Sequence, residues 1–412
     1  MAFGGTLWML ILYIFSFIHS LLFAWGVYYH FKRTYVPPGI TQGAKLRVFA
    51  FAMEYSLGLG LILEKLGICN RYIIWKIAFN VIPTGKDSKL IQKDLVFDGV
   101  PVRVYWPKTS PAGNRRGIIF LHGGAGITGS IRASEKVCRF MANQSDSVVV
   151  SVGFRLAPEH PYPVPVMDCL TAAIHFLKNA KEYGVDPNCI AIVGESSGGT
   201  FAAAVCQELV TREDLPRLRA QVLIYPFLQT GDFDLPSYQQ NQSVPPLFRK
   251  RAIKLGLRHL TGKDINVEGV IKGSHVPPDL REKYQKWISA DYIPEEFKAR
   301  GYVPHAPAPF SEELYEQVKR AEETMYAPLL AEDDIIRQLP ETFILTCEYD
   351  ILRDDGLLFK KRLEDNGVPV TYHHLPDACH ATITFFDLWP LEFPSSRICM
   401  QHVVQFLKSL YK

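Results

Sequence analysis

Gly194-Glu195-Ser196-Ser197-Gly198, placed directly after the apolar run Ile190-Ala191-Ile192-Val193, is the stretch whose reading decides this fold. A serine with glycines at −2 and +2 on the end of a β-type run is the pattern of a strand that turns sharply into a helix and presents the serine at the turn. Small residues are needed there because neighbouring backbone passes close by. Upstream, His122-Gly123-Gly124 follows a second apolar run, Ile118-Ile119-Phe120-Leu121. A glycine-rich turn in that position supplies backbone N–H groups that can stabilise an oxyanion. Either motif alone is weak, since glycine–serine turns are common. Both, in this order and each on a strand end, point to a serine nucleophile.

Working outward, short apolar runs alternate with helical patterns. Strands are expected at 117–121, 147–152, 189–193, 220–225, 342–346 and 368–373, and helices at 134–143, 167–183 and 200–213. Fully apolar strands separated by helices predict a mostly parallel central sheet covered on both faces. Before it, the runs 94–97 and 102–106 flank Asp98-Gly99, a hairpin signal. Residues 231–339 break the alternation. No strand pattern occurs there, and a structureless loop of that length is foreign to a compact domain, so a helical cap is expected. The core is then 90–230 with 340–412.

The amino terminus carries no Lys, Arg, Asp or Glu before Lys32. An apolar stretch from Phe3 to Tyr29 exceeds the about 20 helical residues needed to cross a bilayer, so 1–31 is read as a membrane anchor. A cleaved signal peptide would need a positive n-region, which is missing. Residues 32–89 read as apolar helices that cover the active site or rest on the membrane; Glu54, Glu64 and Lys65 disfavour a second span. The topology signals conflict. Lys32, Arg33, Lys45 and Arg47 all follow the span and by the positive-inside rule place the rest in the cytosol. The sequons at Asn143 and Asn241, candidate glycosylation sites, speak for a lumenal domain. The segment 247–260 mixes five basic residues with apolar ones; a solvated face is preferred there over one that leans on anionic lipid.

Composition removes other classes. A formal net charge of +3, from 45 Lys and Arg against 42 Asp and Glu, favours no nucleic-acid partner. The eight cysteines form no C-x-x-C pair, so no thiolate zinc site is expected. No metal or organic cofactor is expected either.

A serine hydroxyl needs a base beside it and a carboxylate to hold that base. In such sheets the partners follow in the order serine, acid, histidine, on loops after later strands. Beyond the 342–346 run, Asp350 is the preferred acid, with Glu348, Asp354 and Asp355 as competitors. His380 is the preferred base because it lies past the strand that His373 and His374 are expected to end. The oxyanion donors are expected around His122, Gly123, Gly124 and Ala125, completed by the N–H of Ser197.

At this point the chain resembles a known family. The run from Phe154 to Pro163 (FRLAPEHPYP) is similar to a signature of hormone-sensitive-lipase-type α/β hydrolases, and Asp350 to Asp355 to that family's acid loop. With the apolar amino terminus, the whole chain resembles the arylacetamide deacetylase-like branch. The resemblance implies an α/β-hydrolase fold and a single-pass, membrane-anchored esterase of the endoplasmic reticulum with a lumenal catalytic domain. It implies Ser196 as nucleophile, Asp350 as acid, His380 as base and His122-Gly123-Gly124 as oxyanion motif. It also implies an architectural role for Arg155 to Pro163. The sequence departs from the family at Ala125 (usually Gly), Glu195 (usually Asp), Ser197 (usually small and apolar) and Ala381-Thr382 (usually Gly-aromatic). The resemblance also implies a disulfide, found in arylacetamide deacetylase itself, between the position of Cys347 and one soon after the glycine run; Ile127 stands near that point here, so Cys347 has no obvious partner. The expected partners are an apolar ester or amide substrate and a lipid membrane. The competing readings are a catalytically silent hydrolase fold that binds an apolar ligand, and a triacylglycerol lipase acting at a lipid surface.

Overall fold

The computed structural model describes residues 2–81, 85, 87–109 and 115–410. Eight strands form its sheet: β1 (Leu90–Phe97), β2 (Val100–Pro107), β3 (Arg115–Leu121), β4 (Ser147–Val152), β5 (Val185–Glu195), β6 (Ala220–Ile224), β7 (Glu341–Tyr349) and β8 (Val370–Cys379). Their order is β1-β2-β4-β3-β5-β6-β7-β8. β1, β2 and β4 pair antiparallel, and every later pairing is parallel. Asp98 and Gly99 turn β1 into β2 with φ of 46° and 90°, the paired positive values of a tight hairpin. This is the α/β-hydrolase fold.

The central strands are apolar without a break because both faces are covered. In β3, Ile119 and Leu121 face one layer and Ile118 and Phe120 the other. The first layer contains α5 (Val164–Lys178) and α6 (Ser197–Val210); the second contains α4 (Glu135–Ser145) and a carboxy-terminal helix, Pro394–Ser409. Among the described residues between β6 and β7 there is no strand. That insertion contains helices, among them α7 (Pro236–Gln240) and α8 (Arg249–Thr261).

One expectation shifts. β8 does not stop at His373-His374 but runs on to Cys379, still paired with Tyr349 of β7. The register shifts between Leu375 and Cys379, where Pro376 falls, and the missing N–H is tolerated at such an irregularity on an edge strand. The basic residues of α8 lie exposed or half-buried, in keeping with the solvated face expected for 247–260, and four of the five are paired with acids. Arg249 pairs with Asp234 at 2.8 Å, Lys250 with Glu268 at 2.6 Å, Arg258 with Asp264 at 3.4 Å, and Arg251 with Glu54.

Three helices precede the sheet: α1 (Ala2–Arg33), α2 (Gly43–Lys65) and α3 (Ile73–Asn80). From Trp8 to Arg33, α1 is long and apolar enough to cross a membrane, and its large apolar side chains lie exposed. α2 meets the same length and composition criterion, but it buries Leu46, Phe49, Ala50 and Met53.

Candidate active site

Ser196 sits between β5 and α6 with φ 53° and ψ −122°, a sparsely populated conformation that only close packing maintains. Its N–H donates to the Ile224 carbonyl at 2.9 Å. The flanking glycines have a steric reason. A Cβ at Gly194 would lie 2.0 Å from the Gly198 carbonyl oxygen, and one at Gly198 would lie 2.1 Å from the Leu121 carbonyl oxygen. Thus β3, β5 and the first turn of α6 meet backbone to backbone beneath the serine.

His380 follows β8 directly, and its Nε2 lies 2.9 Å from Ser196 Oγ. Its Nδ1 lies 2.7 Å from Asp350 Oδ2. The other Asp350 oxygen accepts the Leu352 N–H at 2.9 Å, so the acid is held on both sides. Asp350 and His380 are both buried. The competing acids have other partners. Glu348 contacts Arg300, Arg353 and His374. Asp354 pairs with Arg353 and accepts the Ser237 N–H, and Asp355 accepts from Leu228, Gln229 and Tyr238. These buried carboxylates join the acid loop to the start of the cap.

The glycine-rich turn divides its N–H groups. The Gly123 N–H is engaged by Glu195 Oε1 at 3.3 Å, and the Gly126 N–H by Ser197 Oγ at 3.2 Å. Those of Gly124 and Ala125 carry no hydrogen bond among the described residues. The Ser197 N–H is the first of α6, one of the donors that a helix leaves unpaired. The expectation is therefore narrowed: Gly123 is not a free donor. The His122 side chain is turned back, with Nδ1 2.8 Å from the Gly123 carbonyl and its ring stacked on Phe154. Burial lowers its pKa to about 4, leaving a neutral imidazole that shapes the turn.

Two departures from the family pattern acquire a physical role. Glu195 is long enough to receive both the Gly123 N–H and the Tyr225 hydroxyl, the latter at 2.7 Å. Burial raises its pKa against these two donors. Ser197 ties the turn to α6. Ala125 and Ala381 stand at φ 57° and 60°, where glycine is unstrained and alanine is not. The stretch after Phe154 is architectural: Arg155 binds Asp168 through its backbone N–H and its guanidinium, and the Ala157 N–H donates to the Gly126 carbonyl.

Asn241 requires correction. It is fully buried, and its Nδ2 donates to the carbonyls of Glu348 at 3.1 Å and Asp350 at 2.9 Å. A glycan on that nitrogen is incompatible with this arrangement; Asn241 braces the acid turn. No local sequence signal identifies that role, because its partners lie more than 100 positions away. Asn143 is half-buried on α4, its amide on Asp87 at 2.6 Å.

The pocket in front of Ser196 is walled mainly by apolar groups from three sources: Phe49 and Met53 of α2, Trp75 of α3, and Phe227, Leu255 and Tyr326 of the body and cap. His259 of α8 also faces it; burial lowers its pKa to about 4, and its Nε2 has no partner among the described residues. All eight cysteines are free, Cys347 among the buried ones. Among the described residues no group of three or more His, Cys, Asp or Glu is placed to hold a metal ion.

Comparison with known proteins agrees with this fold. A family model described as alpha/beta hydrolase fold matches residues 118–270 and 289–384. Human arylacetamide deacetylase-like 4 is 43% identical over 98% of this chain and 99% of its own length. Bovine arylacetamide deacetylase is 36% identical over 85% of this chain and 89% of its own. Among solved structures, a carboxyl esterase from the fungus Tuber melanosporum has a TM-score of 0.60 at 19% identity, over 80% of this chain and 88% of that one. An esterase of Pyrobaculum calidifontis has 0.57 at 23%, over 87% and 92%. At such identities these two speak for the fold alone.

Asn241→Asp replaces a double donor by an acceptor that faces two carbonyls. It is expected to destabilise the protein by about 1–3 kcal/mol, as buried polar groups left without partners do, and to lower kcat toward a soluble ester more than it raises KM. Thermal unfolding in detergent and steady-state kinetics check both; an unchanged midpoint would contradict the bracing role.

Proposed function

Because the chain belongs to the arylacetamide deacetylase-like family of α/β hydrolases, we propose that it is a membrane-anchored serine hydrolase that cleaves carboxylic esters, or arylamides, of apolar substrates through an acyl-serine. A carboxylesterase-type activity is what the family supports. The observation that carries the assignment of roles is the continuous chain from Ser196 through His380 to Asp350, at 2.9 and 2.7 Å, at the floor of an apolar pocket.

In the proposed reaction Ser196 Oγ attacks the substrate carbonyl while His380 Nε2 takes its proton. Asp350 holds the ring by Nδ1 and stabilises the positive charge that develops there. The carbonyl oxygen becomes an oxyanion facing the N–H groups of Gly124, Ala125 and Ser197; one such donor contributes on the order of 3 kcal/mol to the transition state. Collapse expels the alcohol or amine, which receives the proton from His380. Water, deprotonated by the same ring, then releases the acid and restores Ser196. The apolar walls supply the preference for apolar acyl and alcohol groups, and α1 supplies the anchor.

Ser196→Ala and His380→Ala are expected to lower kcat toward a soluble nitrophenyl ester by on the order of 10⁴–10⁶-fold, and Asp350→Asn by about 10⁴-fold, with unchanged far-ultraviolet circular dichroism. Retained turnover in folded Ser196→Ala would refute the assignment. We also propose a lumenal catalytic domain in the endoplasmic reticulum, with Asn143 the glycosylated sequon. Endoglycosidase treatment should shift the wild-type band and leave Asn143→Gln unshifted. A shift that persists in Asn143→Gln would contradict that choice of site.

A further inference from the structure

α2 is apolar over most of its circumference, and an apolar face of that extent is buried either in protein or in lipid. One side meets protein: Leu46, Phe49, Ala50 and Met53, spaced at i, i+3, i+4 and i+7, are buried, and Phe49 and Met53 reach the catalytic pocket. The other side has a second stripe at the same period, Val48, Phe51, Tyr55, Leu59, Ile62 and Leu66. Its middle is covered by α1, through Phe23 against Phe51 and Tyr55 and His19 against Tyr55. Its ends are bare. Ile62 and Leu66 are 57% and 66% exposed, and the apolar surface continues over Ile68 and along α3 through Ile73, Ile77 and Val81.

We infer that this continuous α2–α3 surface is seated in the bilayer beside α1, so that the protein contacts the membrane through a second, monotopic surface next to the catalytic pocket. This rests on the reading of α1 as the anchor. The occupant follows from continuity: the exposed stripe is the same stripe on which the apolar helix packs, so what surrounds α1 also meets Ile62, Leu66 and Ile77. The level on α1 fits. Trp25, Tyr28 and Tyr29 precede Lys32 and Arg33, the sequence of a membrane–water boundary, and α2 meets α1 in and just before this zone. The acidic groups of α2 do not oppose it, since Glu54 is paired with Arg251 and Glu64 with Arg71. The consequence for substrate is direct. Phe49, Met53 and Trp75 line the pocket from the inside of the two helices whose outside meets lipid. Apolar esters dissolved in the leaflet are thereby separated from the pocket by one helix thickness, about 10 Å.

The test places a polarity-sensitive fluorophore on single cysteines at Ile62 and Ile77 of the full chain, in a background with Cys69→Ser and Cys189→Ser. Vesicles of phosphatidylcholine carrying a bromolipid serve as quencher. A label at Leu12 reports the anchor, and one at Lys178, on the far end of α5, reports solvent; thermal unfolding verifies each fold. Helices seated in the interface penetrate about 5–10 Å, so Ile62→Cys and Ile77→Cys labels should be quenched several-fold more than Lys178→Cys. Quenching at Leu12 with none at Ile62 and Ile77 overturns the inference and spares the anchor. No quenching at Leu12 overturns the anchor and this inference together.

Discussion

Everything at the site depends on three backbone segments that approach more closely than any side chain permits. The end of β3, the end of β5 and the first turn of α6 meet at Gly194 and Gly198, where an added Cβ would stand about 2 Å from a carbonyl oxygen. That contact forces Ser196 into its strained turn. It also sets the N–H of Ser197 beside the glycine-rich turn that follows β3. Strain of this kind costs on the order of 1–3 kcal/mol and persists only where the surroundings over-determine it. Here the parallel pairing of β3 with β5 and of β5 with β6 does so, together with the bond from the Ser196 N–H to Ile224.

From that fixed point the site is assembled by strand order. β7 and β8 pair as neighbours, so the turns that follow them bring Asp350 and His380 within one hydrogen bond of each other. The cap is then fastened to the acid side by buried polar groups: Asn241 on the carbonyls of Glu348 and Asp350, Asp354 on Ser237, and Asp355 on Leu228. One set of groups thus positions the acid and anchors the cap. The price of that economy is sensitivity, since a change at Asn241 reaches both.

What was legible in the sequence was local. The elbow, the glycine-rich turn and the Asp98-Gly99 hairpin depend on residues within a few positions of one another, and a single backbone requirement dictates each. The order of serine, acid and histidine followed because parallel strands take their loops in turn. What was not legible depends on partners far apart in the chain. Asn241 read as a sequon because nothing nearby shows that Glu348 and Asp350 accept its amide. Glu195 read only as a departure; its reach to Tyr225 and Gly123 needs the folded sheet. His373 and His374 were expected to end a strand that in fact continues to Cys379, pairing with β7 again at Tyr349 after a shift of register. The apolar helices before the sheet were legible as a segment covering the site or resting on the membrane, but which of their residues line the pocket was not.

The central claim is that Ser196 is a working nucleophile activated by His380. Labelling the detergent-solubilised full chain with a fluorophosphonate, followed by peptide mass spectrometry, tests it most directly. A phosphonyl adduct on Ser196 is expected, absent in Ser196→Ala and strongly reduced in His380→Ala. A folded wild-type chain that takes no label, or takes it on Ser197 instead, would contradict it.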